Sequence, residues 1–488
     1  MDIQEKKRQA LVELINGIDA GDFTDADRIP EKYTYRHMEA LFFFSEILDN
    51  GCILYEQLYD LVMKCGERAI SEKIKQGEKI KVAFLAISAA QWPAEEVYRL
   101  METDRRCECY IVVCPLSGRD KEDMKRTYIQ TYQFLEQSDH EVRKAYDEEN
   151  ERYLEWEELG GMPDIVIHLS PWYRALPEKY QIEAFPLKCI NCYIPYGIYV
   201  ENSEDGKYLD NVAYNKGFIN MLWRVYTDSE RNLEGYKSYE LLHGKNVLYS
   251  GYAKMDYFFN KRPYGKDEIK RIWKIPENTD VNEIKRVIIA PHHSIRSSAG
   301  LIFSTFPKNV YFWLYLAKKY KDKISFIFKP HPNLRHRAVE TGVFESFDAY
   351  DAYLEEWESL PNAKVVQESS YREIFATSDG MIMDSISFLA EYMYVDKPLL
   401  FLRRKGQAFN DLGKEILECC YQKGGDDYMG IEEFLEQTIL GGKDERKKVR
   451  NAVFDRNLNY PKINQRMACE TIYQDIASLF TMKPKPSG

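Results

Sequence analysis

The chain has 488 residues, 44% of them hydrophobic and 30% charged, too many for a single core, so two or three domains are expected. A net charge of −11 argues against a nucleic-acid binder, which would carry a basic balance or a basic stripe. The ten cysteines are scattered, and even "CINC" at 189–192 has no second pair or nearby histidine to complete a zinc site, so no metal centre is expected and the thiols read as free, in a reducing cytoplasm.

The amino end, "MDIQEKKRQA", lacks the apolar core of a signal peptide, and no apolar run approaches bilayer length. A cytoplasmic location follows, with any membrane contact peripheral and at the inner face. The 36 tyrosines read as packing residues ahead of carbohydrate-stacking ones.

Residues 1–79 have apolar positions at helical spacing, as in "ILYEQLYDLVMKCGERAI", and form a helical N-terminal extension. Residues 80–245 switch to a strand–helix alternation. "EKIKVAFLAIS", "CECYIVVCP", "PDIVIHLSPW" and "KCINCYIPYGI" are the strands, and the charged stretch 119–159 reads as helix throughout. Around Asn246 the chain reaches a junction. Residues 246–450 then alternate again, with strands "RVIIAP", "ISFIFKP", "AKVVQ", "GMIMD" and "KPLLFL". Residues 451–480 read as a helix crossing back onto the first domain, and 481–488 as a disordered tail. The fold class is α/β, with two doubly wound Rossmann-like domains.

In open α/β sheets ligands bind outside the carboxyl ends of the strands. In 246–450 those ends carry "APHHSIRSS", "KPHPNLRHR", "QESSY" and "DSISF", which hold four of the eight histidines, among them His292, His293 and His331. Lys329 and His331 each precede a proline, which holds them extended and sends both side chains to one side. A cation and an imidazole so placed suit an anion. Arg296, Ser297, Ser298, Arg335, Ser369 and Ser370 add donors, Asp384 and Ser385 stand at a strand end, and Ser387 is placed to cap a helix whose free amides receive a diphosphate. There is neither a G-x-x-x-x-G-K-[ST] loop nor a G-x-G-x-x-G turn, so no P-loop and no dinucleotide cofactor is expected.

The strings "APHHSI…STF", "FKPHP", "YREIFATSDGMIMDSISFLAEYMYVDKPLLF", "PDIVIHLSPW" and "YIPYGI" together resemble the CDP-glycerol glycerophosphotransferase-like family of teichoic-acid and capsule-polymer synthesis, over roughly residues 80–480. The resemblance implies a GT-B fold with its two domains facing across a cleft. It implies transfer of a glycerol-phosphate-type group from a CDP-activated donor to a hydroxyl of a polysaccharide or lipid-linked acceptor, releasing CMP, with no further cofactor. On that pattern His331 sits at the donor phosphates, while Asp384, Ser385, Ser387 and Glu391 belong to the donor loop.

One departure concerns the acceptor side. The family's first-domain "WHGT"-like histidine is replaced by "YIPYGIYV", leaving Tyr196, Gly197 and Glu201 on the acceptor side and the base to His292, His293, Glu201 or the strand residue His168. A GT-B glycosyltransferase using a nucleotide sugar, and a non-catalytic nucleotide-binding scaffold, are the alternative readings.

Overall fold

The computed structural model describes residues 3–118, 121–260, 262–277, 279–297, 300–367 and 371–481, with backbone alone at Asp210 and Asn211. It divides into two compact units. The first comprises Met1–Tyr196, Asp210–Asp256 and Tyr460–Gly488, the second Gly197–Leu209 and Tyr257–Asn459.

The first unit opens with three helices, α1 (Ile3–Asp19), α2 (Tyr35–Phe44) and α3 (Gly51–Gln76). Thr34 caps α2, its hydroxyl accepting from Arg36 N while His37 Nδ1 accepts from Thr34 N at 3.1 Å. The helices belong to the same unit as the sheet and are pinned to it by buried tyrosines. Tyr35 donates to the Cys189 carbonyl at 2.9 Å, Tyr55 to Asn220 at 3.0 Å and Tyr59 to Leu222 at 2.7 Å. A tyrosine fills core volume with its ring and satisfies a backbone acceptor with its hydroxyl, a packing use of this abundant residue. At Gly66 a Cβ would stand 2.8 Å from the Ile190 side chain, so only glycine lets α3 lie this close to the strand below it.

That strand belongs to a seven-stranded parallel sheet. In chain order its strands are β1 (Ile80–Ala86), β2 (Cys107–Val113), β3 (Val142–Lys144), β4 (Ile165–His168), β5 (Ile190–Tyr193), β6 (Arg224–Thr227) and β7 (Val247–Tyr249). Their spatial order is β7-β6-β5-β4-β1-β2-β3. The central strands are buried along nearly their whole length, as continuous apolar runs require.

The stretch 119–159 departs from the expected continuous helix. Helix covers Lys121–Glu136 only; Asp139 and Glu151 then take positive φ (57° and 50°), and Val142–Lys144 becomes the edge strand β3. An edge strand paired on one side tolerates charge, which is why composition alone reads as helix here. The junction also shifts. Val247–Tyr249 still adds a strand to the first sheet, and the chain leaves this unit after Asp256.

The carboxyl-terminal region is not one helix. Lys447–Asn457 stays with the second unit, while Tyr460–Asn464 and Ala468–Ser478 return to the first, the latter packing on Glu95–Glu102. There the buried Asp256 carboxylate accepts from the Tyr460 hydroxyl, from Ala468 N at 3.2 Å and from Cys469 N at 2.8 Å. The tail expected at 481–488 lies, past Thr481, outside the described residues.

The second unit is built on a six-stranded parallel sheet: β8 (Lys285–Ala290), β9 (Ile324–Phe328), β10 (Ala363–Val365), β11 (Gly380–Met383), β12 (Leu399–Arg403) and β13 (Tyr421–Gly424). The order is β10-β9-β8-β11-β12-β13, so the direction of winding reverses beside β8. Val287, Phe306, Trp313, Phe326, Phe328 and Trp357 lie at the centre of its core, with Phe328 stacked on Trp357 at 4.9 Å. Residues 197–209 join this unit because Glu201–Asn202 pairs antiparallel with Ala408–Phe409 and because Asn410 holds the Tyr199 and Val200 carbonyls. Among the described residues no helix is long and apolar enough to cross a membrane.

Candidate functional site

The site of the second unit lies where β8, β9 and β11 end, beside the point at which the winding reverses. Register brings its parts together. Ile289 pairs with Phe328 and Ala290 with Met383, so the residues after each strand emerge side by side. Two backbone bonds extend the pairing beyond the strands, Lys329 N to the Ile289 carbonyl at 2.8 Å and His331 N to the Pro291 carbonyl at 3.1 Å. The two Pro-preceded residues thus leave β9 directly beside the histidines that follow β8.

Three imidazoles form a cluster. Ring centroids stand 4.3 Å apart for His292 and His293, 4.1 Å for His293 and His331, and 5.2 Å for His292 and His331. One ring nitrogen of each lies within 4.8 Å of the others, a spacing at which a metal ion could be held. The hydrogen bonds behind the rings favour a different occupant. Ser294 N points at His292 Nδ1 (3.3 Å) and the Ser294 hydroxyl is 2.7 Å from the same atom, while Asn333 N donates to His331 Nδ1 at 3.1 Å. A neutral imidazole that accepts at Nδ1 carries its proton on Nε2. Both rings therefore offer N–H groups, and a metal-ligating histidine would instead donate from its far nitrogen to an acceptor. The cluster suits an oxyanion better than a cation.

Burial is the main reason these rings stay neutral. It holds His292 and His331 well below the ordinary imidazole value, each ring further opposed by its neighbours and His331 also by Lys329. Burial, with Arg337 nearby, brings His293 down to about 4. His293 Nδ1 is buried and makes no hydrogen bond among the described residues. Lys329, 7% exposed, adds a fixed positive charge at the same strand end.

The sign of the histidine effect is testable. His293 is neutral in the native state down to about 4, whereas an unfolded histidine takes a proton near pH 6.5, so below that pH the unfolded chain binds more protons. The stability this group contributes is complete above pH 6.5 and is lost as pH falls toward 4. The shift corresponds to at most about 3 kcal/mol. The ligand-free melting temperature is expected to rise from pH 4 to 6.5, with a shallower rise in His293→Gln. Equal slopes in the two proteins would contradict this account.

Asp384, 1% exposed, is the keystone of the loops. It accepts from His292 N at 2.6 Å, from Thr305 N, and from the Thr305 hydroxyl at 2.8 Å. Desolvation raises its carboxyl to about 6, against the opposing pull of these hydrogen bonds. Its role is to set the geometry of the histidine loop. A Cβ at Gly425 would sit 2.5 Å from the Thr305 side chain, so the loop after β13 closes on this bond network without room for a larger residue. Arg404 straps the same loop, donating to the Ile295 carbonyl at 3.1 Å and the Ser304 carbonyl at 2.6 Å. Ser294, Thr305 and Arg404 escaped the sequence reading; the short spacing from His292 to Ser294 was the one available signal.

The other expected site residues separate. Arg296 and Ser297 are exposed on the loop after His293, and Ser385 is buried beside Asp384. Arg335 is not free for a donor: it forms a two-pronged pair with Asp351 (2.8 and 2.5 Å) and lies over Phe347. Ser387 caps no α-helix; turns follow Asp384 and lead into a short 3₁₀ segment, Glu391–Val395. The segment is tied down by side-chain hydrogen bonds inside the unit, the Tyr371 hydroxyl to Glu391 and the Tyr392 hydroxyl with Ser378 at 2.7 Å. Glu391 is thereby engaged inside the unit. Ser298, Ser369 and Ser370 lie outside the described residues.

On the acceptor side, Tyr196 ends the first unit's segment and receives the Trp172 indole N–H at 3.1 Å. Gly197 and Glu201 belong to the second unit, where Glu201 is buried and accepts from Tyr208 (3.0 Å) and Val200 N (3.1 Å). His168 is a core residue: its Nε2 is 2.9 Å from Asn191 Oδ1, and burial depresses it to about 4.

Comparison with known proteins bears on the fold and on one segment of the chain. A wall teichoic acid polymerase, TagF, in a variant form, is 13% identical with a TM-score of 0.50, the alignment covering 98% of this chain and 99% of that one. UDP-GlcNAc 2-epimerase from Neisseria meningitidis bound to UDP-GlcNAc is 14% identical, also at 0.50, covering 82% of this chain and all of the other. At such identities the likeness concerns the fold, and with the two doubly wound sheets it places the chain among GT-B proteins. No curated protein matches the chain in sequence. Residues 225–412 match the family described as CDP-Glycerol:Poly(glycerophosphate) glycerophosphotransferase, a span that contains the histidine cluster, Lys329 and Asp384. That segment is under half of the chain, and the likeness to the family is a likeness of that segment.

Proposed function

We propose that the chain moves a glycerol-phosphate-type group from a CDP-activated donor to a hydroxyl of a teichoic-acid-like or capsule polymer and releases CMP, working without a metal or other cofactor at the cytoplasmic side of the membrane. The observation that carries this reading is the pair of Nε2–H groups on His292 and His331, fixed from behind by Ser294 and Asn333 and set beside Lys329. In a buried site such preorganised donors stabilise charge as it develops on phosphoryl and leaving oxygens. The acceptor oxygen attacks phosphorus, the bond from phosphorus to the CMP oxygen breaks, and that oxygen keeps the electron pair.

His293 is the cluster member whose Nδ1 is not engaged by a hydrogen bond, and it takes the acceptor's proton. A bound phosphate places negative charge beside the ring and raises its pKa toward working pH.

The test is a thermal-shift series on purified protein with CMP, CDP-glycerol, CDP-ribitol, UDP-sugars and GDP-sugars. A ligand at a hundred times its Kd adds about 2.7 kcal/mol of stability. Cytidine nucleotides are expected to stabilise the protein and the others to leave it unchanged; stabilisation by uridine or guanosine sugars alone would make it a nucleotide-sugar glycosyltransferase instead.

A further inference from the structure

A second cavity, of about 510 Å³, lies within the second unit at the end of β12. Arg403, the last residue of that strand, lines it. Among the described residues its guanidinium pairs with no carboxylate and donates no hydrogen bond. It lies 5.3 Å from the Phe409 ring, and burial without an offsetting charge depresses its pKa. The adjacent Arg404 donates from one guanidinium nitrogen to two carbonyls, whereas Arg403 has no such partner among the described residues. A guanidinium taken partly out of water without an ion pair is costly unless a ligand completes it.

The rest of the lining indicates the ligand. The Asn202 amide oxygen accepts from Ser203 N at 2.8 Å, and its NH₂ donates to nothing among the described residues. Lys414, bridged to Asp411 at 2.9 Å, supplies a second positive charge. Glu204 and Glu418 are exposed and line the same cavity. A planar cation and an amide suit a tetrahedral oxyanion, and flanking carboxylates accept hydroxyl groups but not a second anion. Phe409 packs on Phe303 at 5.4 Å and Phe303 on His292 at 5.9 Å, so two aromatic rings separate this cavity from the histidine cluster.

We propose that this cavity is a second phosphate subsite, in which Arg403 and the Asn202 amide hold the oxyanion of a polyol phosphate while Glu204 and Glu418 accept its hydroxyls. Two sources present that chemistry, a phosphate of the acceptor chain and a phosphate of the donor. The acceptor is favoured because the histidine cluster already supplies donors for the activated phosphate. That choice of source rests on the glycerol-phosphate-transfer reading; phosphate binding at Arg403 does not.

The test titrates glycerol 3-phosphate calorimetrically into the full chain with CMP saturating the histidine site, using wild type, Arg403→Gln and Arg403→Lys, and then titrates CDP-glycerol alone. Arg403→Gln is expected to weaken glycerol 3-phosphate by about tenfold or more, Arg403→Lys by less, with CDP-glycerol affinity unchanged. Weakening of CDP-glycerol alone would keep the phosphate subsite and assign it to the donor. Equal affinities for both ligands in all three proteins would overturn the proposal. Arg403→Lys keeps the charge and volume, so it remains readable if Arg403→Gln fails to fold. If CMP does not bind wild type, the transfer reading fails by itself, and the glycerol 3-phosphate titration without CMP still reports on Arg403.

Discussion

Replacing His331 with alanine is expected to lower kcat for CMP release by about 10²–10³-fold while leaving the secondary structure and most of the melting temperature intact, the range found when one preorganised oxyanion donor is removed. The expectation follows from how the ring is held. Its backbone N–H is tied to the Pro291 carbonyl, so the loop keeps its course when the ring is removed; the Nε2–H disappears, and the exposed Asn333 N–H that the ring had accepted turns to water. His331→Gln, which retains a side-chain N–H, should recover part of the rate.

Lys329→Met tests the companion charge. Its backbone anchor on Ile289 is unaffected by the substitution, and its loss should act mainly on kcat, since charge developing on the leaving phosphate grows toward the transition state. A His331→Ala enzyme with undiminished turnover would remove the cluster from the mechanism.

The second large effect is on stability. Asp384→Asn is expected to destabilise the second unit by about 2–4 kcal/mol, because an NH₂ must then face Thr305 or the His292 N–H, both of which are buried donors. In a unit of this size that is a fall in melting temperature of roughly 5–15 °C, readable by calorimetry. Its pH dependence has a definite sign. Burial raises the Asp384 carboxyl to about 6 against an ordinary value of 3.8, so the contribution from its protonation is fully present below 3.8 and is lost as pH rises through 6. The deficit of the Asn variant should therefore narrow between pH 5 and 7. A deficit that widens over that interval would mean the carboxylate is stabilised, not strained, by its surroundings.

How far the sequence could be read depended on whether a signal was local. The strands at Phe84, Ile167, Ile288 and Ile327 were legible because burial on both faces leaves an unbroken apolar run. The histidine cluster was legible through the rule for strand ends, with two prolines adding a local cue at Lys329 and His331. Arg335 misled because its partner, Asp351, comes sixteen positions later on another helix. Ser387 misled because a good capping residue does not make a helix where the chain after it runs through turns into a short 3₁₀ segment. The charged edge strand at Val142 had no alternation to reveal it. Nothing local indicated the tautomers of His292 and His331, which depend on backbone N–H groups placed by the folded loops.

The return of the carboxyl terminus to the first unit bears on the order in which the protein matures. Residues Tyr257–Asn459 form one unbroken stretch apart from the short 197–209 insertion, so nearly all of the second unit has been synthesised before the first can be finished. Until residues 460–478 leave the ribosome, the buried Asp256 carboxylate lacks the Tyr460 hydroxyl and the amides of Ala468 and Cys469, and the Glu95–Glu102 helix lacks its cover. A nascent chain can thus present a folded histidine site while its amino-terminal sheet is still open, and a premature stop near residue 459 yields a protein that is incomplete at its beginning.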